Sequence, residues 1–375
     1  MGLGTSTALN QVRNRHITQT KTNQTSRNAN GTLIVKHSIL LLAICCIPTI
    51  AFSDHITTRS DPVSGTQSRA ASVEVFKGIL CAQQDNASKE KPGNDDSSQL
   101  ATGQYFVTQS WSQEQEFQRP YFVTVPKSGE QQKLPVFLFL HGNGGNAKAA
   151  MRNFTRQRKA IASRYILVFP QGYRESWNIV SERSKANDLE FIETIIRELA
   201  TFDNVDATDV TIMGNSNGAA LVNQILIESK LPNIRNYISG VSPLNVWQHD
   251  GNNFKAKGDD NNYKTVAQPA KGKRLLNISG TEDRLVPYHG GPSRVIPAKD
   301  GKLAFVDAEE SIFRWAKAMG YDGKRLSGPS RVSGKLEVFS YLDSDVIHYK
   351  VLGGGHGATG AIDEMTLLKF LENKS

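Results

Sequence analysis

Beyond residue 104 the chain alternates between short apolar runs and amphipathic segments. Nearly continuous apolar runs occupy residues 136–140, 166–169, 210–213, 237–241 and 275–278. Such runs are typical of strands that are buried on both faces of a sheet. Two earlier segments, residues 105–111 and 121–125, have the composition of strands and predict an antiparallel start to the same sheet.

The segments between the runs predict helices. One helix should begin near Asp188 and carry its apolar residues on one face, at Leu189, Ile192, Ile196 and Leu199. Others should begin at Asn217 and cover about residues 307–319 and 362–372. Strands that alternate with helices predict an α/β fold, with a doubly wound, mostly parallel sheet and helices on both faces. The polar insertion 247–273 is expected to form a surface loop or small cap.

A further apolar run, residues 39–52, lies near the N-terminus. It is shorter than the roughly 20 residues that a membrane span needs, and its length fits a signal peptide with cleavage after Ser53. We therefore expect residues 1–53 to direct export to a secreted or periplasmic location, with no membrane span in the mature form. The polar region before the run is unusually long, and initiation at Val35 would give it an ordinary length.

Composition adds three expectations. Residues 54–103 are polar and lack apolar periodicity, which predicts a flexible lead-in before a catalytic domain at 104–375. Of the net charge of +8, residues 1–53 supply +5, and the rest has no dense cationic run, so nucleic-acid binding is not expected. The three cysteines form no metal-binding motif, and no metal or cofactor is expected.

The motif with the clearest chemistry follows the run at 210–213. The segment Gly214–Gly218 has the pattern G-x-S-x-G between a predicted strand and a predicted helix. Its glycines permit a sharp turn that exposes the serine hydroxyl at the start of the helix. We predict that Ser216 is a nucleophile, and a structural serine in a glycine-rich turn is the alternative.

A serine nucleophile needs a base and an acid, which in this type of fold follow the serine along the chain. His356 lies in a glycine-rich segment after a predicted strand and is the preferred base, with His289 as its rival. Asp283 follows the run at 275–278 and is preferred over Glu282 as the acid.

Attack on an ester carbonyl also needs N–H donors for the developing oxyanion. The residue after the nucleophile, Asn217, should supply one donor. The glycine-rich segment 141–145 follows the run at 136–140 and should supply the other from Asn143. A plain glycine-rich turn is the alternative for this segment.

Together these motifs resemble, in type and order, the secreted polyhydroxybutyrate depolymerase and feruloyl esterase group of α/β-hydrolases. The residues that carry the resemblance are His141-Gly142, Trp177-Asn178, Gly214–Gly218, Gly280–Tyr288 and Gly353–His356. The resemblance implies an α/β-hydrolase fold and a serine esterase with Ser216, Asp283 and His356 as nucleophile, acid and base. The resemblance does not fix the substrate, and we expect a small-molecule or oligomeric ester.

The sequence departs from this group directly after the predicted base. Ala358-Thr359 stand where the group often has Trp-Pro, and Ser279 stands where a histidine is frequent. Two other functions fit the same motifs. One is a serine peptidase on this fold, and the other is a binding module that has kept the fold without activity.

Overall fold

The computed structural model describes residues 98–127, 132–180 and 184–373. They belong to one compact unit, Ala87–Ser375. The predicted signal segment 1–53, the alternative start at Val35 and most of the lead-in 54–103 lie outside the described residues. Within the described part of the chain, no helix is long and apolar enough to cross a membrane.

The described residues form fourteen strands and six α-helices, numbered in chain order. The strands are β1 (Gly103–Trp111), β2 (Glu114–Thr124), β3 (Leu134–Leu140), β4 (Ile166–Pro170), β5 (Val205–Asn215), β6 (Ile234–Gly240), β7 (Phe254–Lys255), β8 (Val266–Ala267), β9 (Arg274–Gly280), β10 (Gly291–Ala298), β11 (Gly301–Phe305), β12 (Arg331–Ser333), β13 (Leu336–Tyr341) and β14 (Val346–Val351). The helices are α1 (Ala147–Gln157), α2 (Lys159–Ala162), α3 (Asp188–Leu199), α4 (Asn217–Glu228), α5 (Ala308–Met319) and α6 (Glu364–Glu372).

Ten of these strands form one sheet in the order β1-β2-β4-β3-β5-β6-β9-β14-β13-β12. The pairings from β4 through to β14 are parallel, and the pairings at both edges are antiparallel. At the first edge β1 and β2 form the antiparallel start that the sequence predicts, with Tyr105 opposite Tyr121. The predicted mostly parallel α/β sheet is therefore confirmed.

The central strands contain apolar runs because both faces of the sheet are covered. Every residue of β4 and of β9 is buried. Along β3 the pleat sends Val136 and Leu138 into one apolar cluster with α3, α4 and α5, and it sends Phe137 into a second cluster with α1 and α6. The prediction of helices on both faces is thereby confirmed.

Helix α3 begins at Asp188, where the sequence predicts its start. The cap is Asn187, whose side chain accepts a hydrogen bond from the N–H of Glu190. Asp188 is instead buried, and its carboxylate lies 2.7 Å from the guanidinium of Arg119 on β2. A buried carboxylate needs such a partner, so Asp188 joins α3 to the sheet where the sequence pattern indicated only a helix start.

The insertion 247–273 contains the short antiparallel pair β7 and β8. It packs inward through two buried side chains. The Tyr263 hydroxyl donates to the carbonyl of Ile179 at 2.8 Å, and the Asn261 amide donates to the carbonyl of Val180 at 3.1 Å. The insertion therefore supports a segment that lines the candidate site.

Candidate active site

Ser216 occupies the sharp turn between β5 and α4. Its backbone has φ 54° and ψ −117°, a conformation that is costly for a residue with a side chain. The flanking glycines are required by close packing, because a Cβ at Gly214 would collide with the carbonyl of Gly218, and one at Gly218 would collide with the carbonyl of Leu140. The turn thus presents the Ser216 hydroxyl at the start of α4, beyond the carboxyl end of β5.

The structure brings the three predicted residues of the triad into one hydrogen-bonded chain. Nε2 of His356 lies 2.8 Å from Oγ of Ser216, and Nδ1 lies 2.7 Å from Oδ2 of Asp283. With its proton on Nδ1, a neutral His356 donates to Asp283 and accepts from Ser216. The three residues follow β14, β5 and β9, which are close together in the parallel part of the sheet.

Asp283 is held as a carboxylate. Its side chain is 2% exposed, and its Oδ1 accepts hydrogen bonds from the N–H groups of Leu285 at 2.8 Å and Val286 at 3.0 Å. Burial by itself would raise the pKa of Asp283, but the hydrogen bonds from His356 and the two N–H groups together lower that pKa below its usual range. The alternative acid, Glu282, is exposed, and its backbone N–H donates to the carbonyl of Gly354 at 2.8 Å.

The other candidate histidines lie elsewhere. The side chain of His289 is 80% exposed, with its Nδ1 3.4 Å from Asp307. His348 is fully buried, and its ring nitrogens contact the Tyr288 hydroxyl and the Asn277 side chain. Burial lowers the pKa of His348 to about 3. The structure therefore brings His356 to Ser216, whereas His289 and His348 have other partners.

The two predicted oxyanion donors lie beside Ser216 in the same cavity. The carbonyl of Gly142 accepts hydrogen bonds from Nδ1 of His141 at 2.7 Å and from the N–H of Gly145 at 3.0 Å. Since the C=O and N–H of a trans peptide point in opposite directions, the N–H of Asn143 points away from His141. No described residue accepts from it. The N–H of Asn217 is the first of α4 and has no acceptor within the helix.

A side-chain network that the sequence analysis missed joins these two residues. Oδ1 of Asn217 accepts from the N–H of Trp177 at 2.8 Å, and its Nδ2 donates to the carbonyl of Trp177 at 3.1 Å. The Ser176 hydroxyl donates to Oδ1 of Asn143 at 3.0 Å. The Trp177 indole donates to the carbonyl of His141 at 2.8 Å. The only signal in the sequence was the Trp177-Asn178 dipeptide, which carries no information about these partners.

Thr359 occupies one of the positions at which the sequence departs from the group it resembles. Its hydroxyl donates to Oδ1 of Asn215 at 2.7 Å. Asn215 directly precedes Ser216, and Thr359 lies three residues after His356. The hydrogen bond therefore connects the segment that carries His356 to the turn that carries Ser216.

A cavity of about 540 Å³ opens beside Ser216 and His356. Its volume is within the range of pockets that bind small organic ligands. Most of its lining is apolar: Trp177, Ile179, Val180, Ala220, Leu285, Val286, Val295, Ile296, Pro297, Leu303 and Phe305.

The sheet, the covering helices and the strained serine turn define the α/β-hydrolase fold. No protein-family model matches the chain. Two curated relatives are similar in sequence. Feruloyl esterase B of Piromyces equi is 24% identical over 196 residues, which cover 51% of this chain and 33% of that protein. The provisionally named esterase NocK of Nocardia uniformis subsp. tsuyamanensis is 24% identical over 240 residues, which cover 59% of this chain and 64% of that protein.

Among solved structures, an acetyl xylan esterase from Aspergillus awamori superposes with a TM-score of 0.46 at 13% identity. The match covers 67% of this chain and 93% of that one. Of the two curated relatives, the chain spans about a third of the length of one and less than two thirds of the other. The predicted resemblance to esterases is confirmed by these two relatives.

Proposed function

We propose that the protein is a carboxylic ester hydrolase with Ser216 as nucleophile, His356 as base and Asp283 as the residue that orients the imidazole. The observation that carries the proposal is the pair of contacts at 2.8 Å and 2.7 Å from His356 to Ser216 and to Asp283. The strained turn at Ser216 supports it, because strain of this kind is typical of functional positions. The esterase names of both curated relatives support it too.

In the proposed reaction, Oγ of Ser216 attacks the ester carbonyl while its proton passes to Nε2 of His356. The N–H groups of Asn143 and Asn217 donate to the oxyanion of the tetrahedral intermediate. The imidazolium, stabilised by Asp283, then gives its proton to the leaving alcohol, and an acyl-enzyme remains. His356 next takes a proton from water, the resulting hydroxide attacks the acyl carbonyl, and the acid leaves as Ser216 recovers its proton.

The test compares the wild-type protein with Ser216→Ala. Hydrolysis of p-nitrophenyl acetate should fall by at least about 10³-fold, because the variant lacks the hydroxyl that forms the acyl-enzyme. Labelling by a fluorophosphonate should disappear. Ser333→Ala, on the exposed edge strand β12, is the matched control and should retain both signals. Wild-type protein without hydrolysis or labelling would indicate a binding module, and amide cleavage without ester cleavage would indicate a peptidase.

We further propose that the substrate is a small-molecule or oligomeric ester, either an ester of ferulic acid or an oligomer of hydroxybutyrate. One curated relative is named a feruloyl esterase, which supports an ester of ferulic acid. Methyl ferulate and a soluble hydroxybutyrate oligomer are each assayed by product release, and the substrate with the higher kcat/KM identifies the ester class.

We also propose that the protein is exported by the segment 1–53. The support is the apolar run at 39–52 followed by small and polar residues at the expected cleavage site. Expression of the full chain and N-terminal sequencing of the exported product should give a start at Asp54. Retention of the whole product in the cytoplasm would contradict export.

A further inference from the structure

Among the residues that the structure describes, the cavity beside Ser216 is lined by no side chain with a permanent charge. These lining residues include no Asp, Glu, Lys or Arg, and His356 is the only titratable one among them besides Ser216. A charged group that entered this cavity would lose hydration without gaining a counter-charge, which is strongly unfavourable. The lining therefore favours a neutral, apolar group.

Much of this apolar surface comes from one element outside the main sheet. Strands β10 and β11 form a separate hairpin, and five of its residues line the cavity. We call them the apolar wall: Val295, Ile296, Pro297, Leu303 and Phe305. Leu303 and Phe305 are buried, whereas Val295 is 54% exposed.

The hairpin reaches the cavity through an irregularity in its pairing. Between the pairs Pro292–Ala304 and Pro297–Lys302, four residues of β10 face a single residue of β11, so β10 bulges. Bulges of this kind redirect side chains, and they are frequent next to active sites.

A buried serine fixes the bulge relative to the proposed catalytic site. The hydroxyl of Ser293 donates to the carbonyl of Leu285 at 2.7 Å and accepts from the N–H groups of Val295 at 3.2 Å and Ile296 at 3.1 Å. The N–H of Leu285 in turn donates to Asp283. The apolar wall is therefore built onto the same turn that holds Asp283.

We propose that the β10–β11 hairpin determines specificity, and that its apolar wall selects esters with an uncharged, apolar group. This inference rests on the proposed esterase function of Ser216. The selected group belongs either to the acyl or to the alcohol side of the ester, and in both cases it is an uncharged, apolar chain that enters the cavity. Each methylene that enters the cavity should raise kcat/KM about fourfold until the cavity is full.

The experiment uses two substrate series on the wild-type protein. One varies the acyl chain of p-nitrophenyl esters from acetate to octanoate, and the other varies the alcohol of acetate esters from methyl to octyl. A rise in kcat/KM with chain length in the first series assigns the cavity to the acyl group, and a rise only in the second assigns it to the alcohol. Hydrolysis without a rise in either series would overturn the inference while the proposed function stands.

Two matched variants test the hairpin itself. Val295→Asp puts a charge on the apolar wall. Val332→Asp puts the same charge on a valine of β12 that is similarly exposed, at 60%, and that does not line the cavity. The octyl-to-methyl or octanoate-to-acetate ratio of kcat/KM should fall at least about tenfold in Val295→Asp. In Val332→Asp it should match the wild type. Equal ratios in the two variants would refute the role of the hairpin.

A binding measurement separates this inference from catalysis. Calorimetric titration of Ser216→Ala with octanamide and with 8-amino-8-oxooctanoate, which has the same amide and a carboxylate at the far end of the chain, should show tighter binding of octanamide. The additional substitution Val295→Asp should weaken octanamide binding at least about fivefold. Equal binding of both ligands would overturn the inference, whether or not the wild-type protein hydrolyses esters.

Discussion

The substitution Asp283→Asn tests the proposed proton path with very little change in shape. Oδ1 of Asp283 accepts from the N–H groups of Leu285 and Val286, and Oδ2 accepts from Nδ1 of His356. In the variant, the two N–H donors keep the amide oxygen on their side, so the amide nitrogen faces His356. That nitrogen can only donate, and His356 must then carry its proton on Nε2. Nε2 faces Ser216 at 2.8 Å and can no longer take its proton.

The expected loss is large because the base is disabled rather than weakened. The equivalent change in the well-studied serine protease triad lowers kcat about 10⁴-fold, through the same wrong tautomer. We expect a decrease in kcat of about 10⁴-fold, equivalent to ~5.4 kcal/mol of transition-state stabilisation. KM should change little, because the cavity lining is untouched, and this division distinguishes a lost proton path from a distorted site.

The assay is p-nitrophenyl acetate hydrolysis with separate kcat and KM. Glu282→Gln is the matched control, since it makes the same chemical change at the exposed neighbouring residue and should retain wild-type activity. Circular dichroism should show that both variants are folded. A loss below tenfold in Asp283→Asn, or a larger loss in Glu282→Gln, would refute the assignment of Asp283.

Three further predictions follow from other contacts. Thr359→Val removes the hydrogen bond to Asn215 and should lower kcat about tenfold at constant KM, and unchanged kcat would contradict this. His356→Ala should abolish hydrolysis while His289→Ala retains it in the same assay, and the reverse ranking would exclude His356 as base. Since burial lowers the pKa of His348 to about 3, the unfolded chain binds a proton between about pH 3 and 6.5 that the native protein does not. Acidification through this range should therefore lower the free energy of unfolding by up to ~1.4 kcal/mol per pH unit, and urea unfolding at pH 7 and 5 should show a weaker dependence in His348→Gln. An equal pH dependence of the free energy of unfolding in the wild type and His348→Gln would contradict the lowered pKa of His348.

The sequence alone determined the parallel core and the turn that presents Ser216. Strand β4 is apolar at every position and β9 is buried at every position because both faces of the sheet are covered, and the apolar runs within these strands are visible in the sequence. The turn at Ser216 was predictable for a similar reason. The motif itself lies within five consecutive residues, and Gly214 is required by its local neighbour Gly218, whereas Gly218 is required by Leu140 at the end of β3, a neighbour that only the folded sheet brings close.

The choice between candidate partners was decided only by the tertiary structure. His289 and His356 both follow Asp283 in the chain, and only the packing of β14 beside β9 brings the His356 ring to Asp283. Asp188 had the pattern of a helix start, yet it is buried against Arg119. Both outcomes depend on contacts about 70 residues apart along the chain, which local periodicity does not encode.

The lining of the cavity was also decided only by the tertiary structure. Residues 291–305 gave no strand prediction, because two prolines and a four-residue bulge interrupt the alternation of β10. The network from Asn217 to Trp177 likewise joins a helix start to a loop 40 residues away. The sequence therefore determines which chemistry the chain can carry, because that chemistry lies in short motifs. The shape and polarity around Ser216 come from distant segments, and these acquire their positions only when the sheet is assembled.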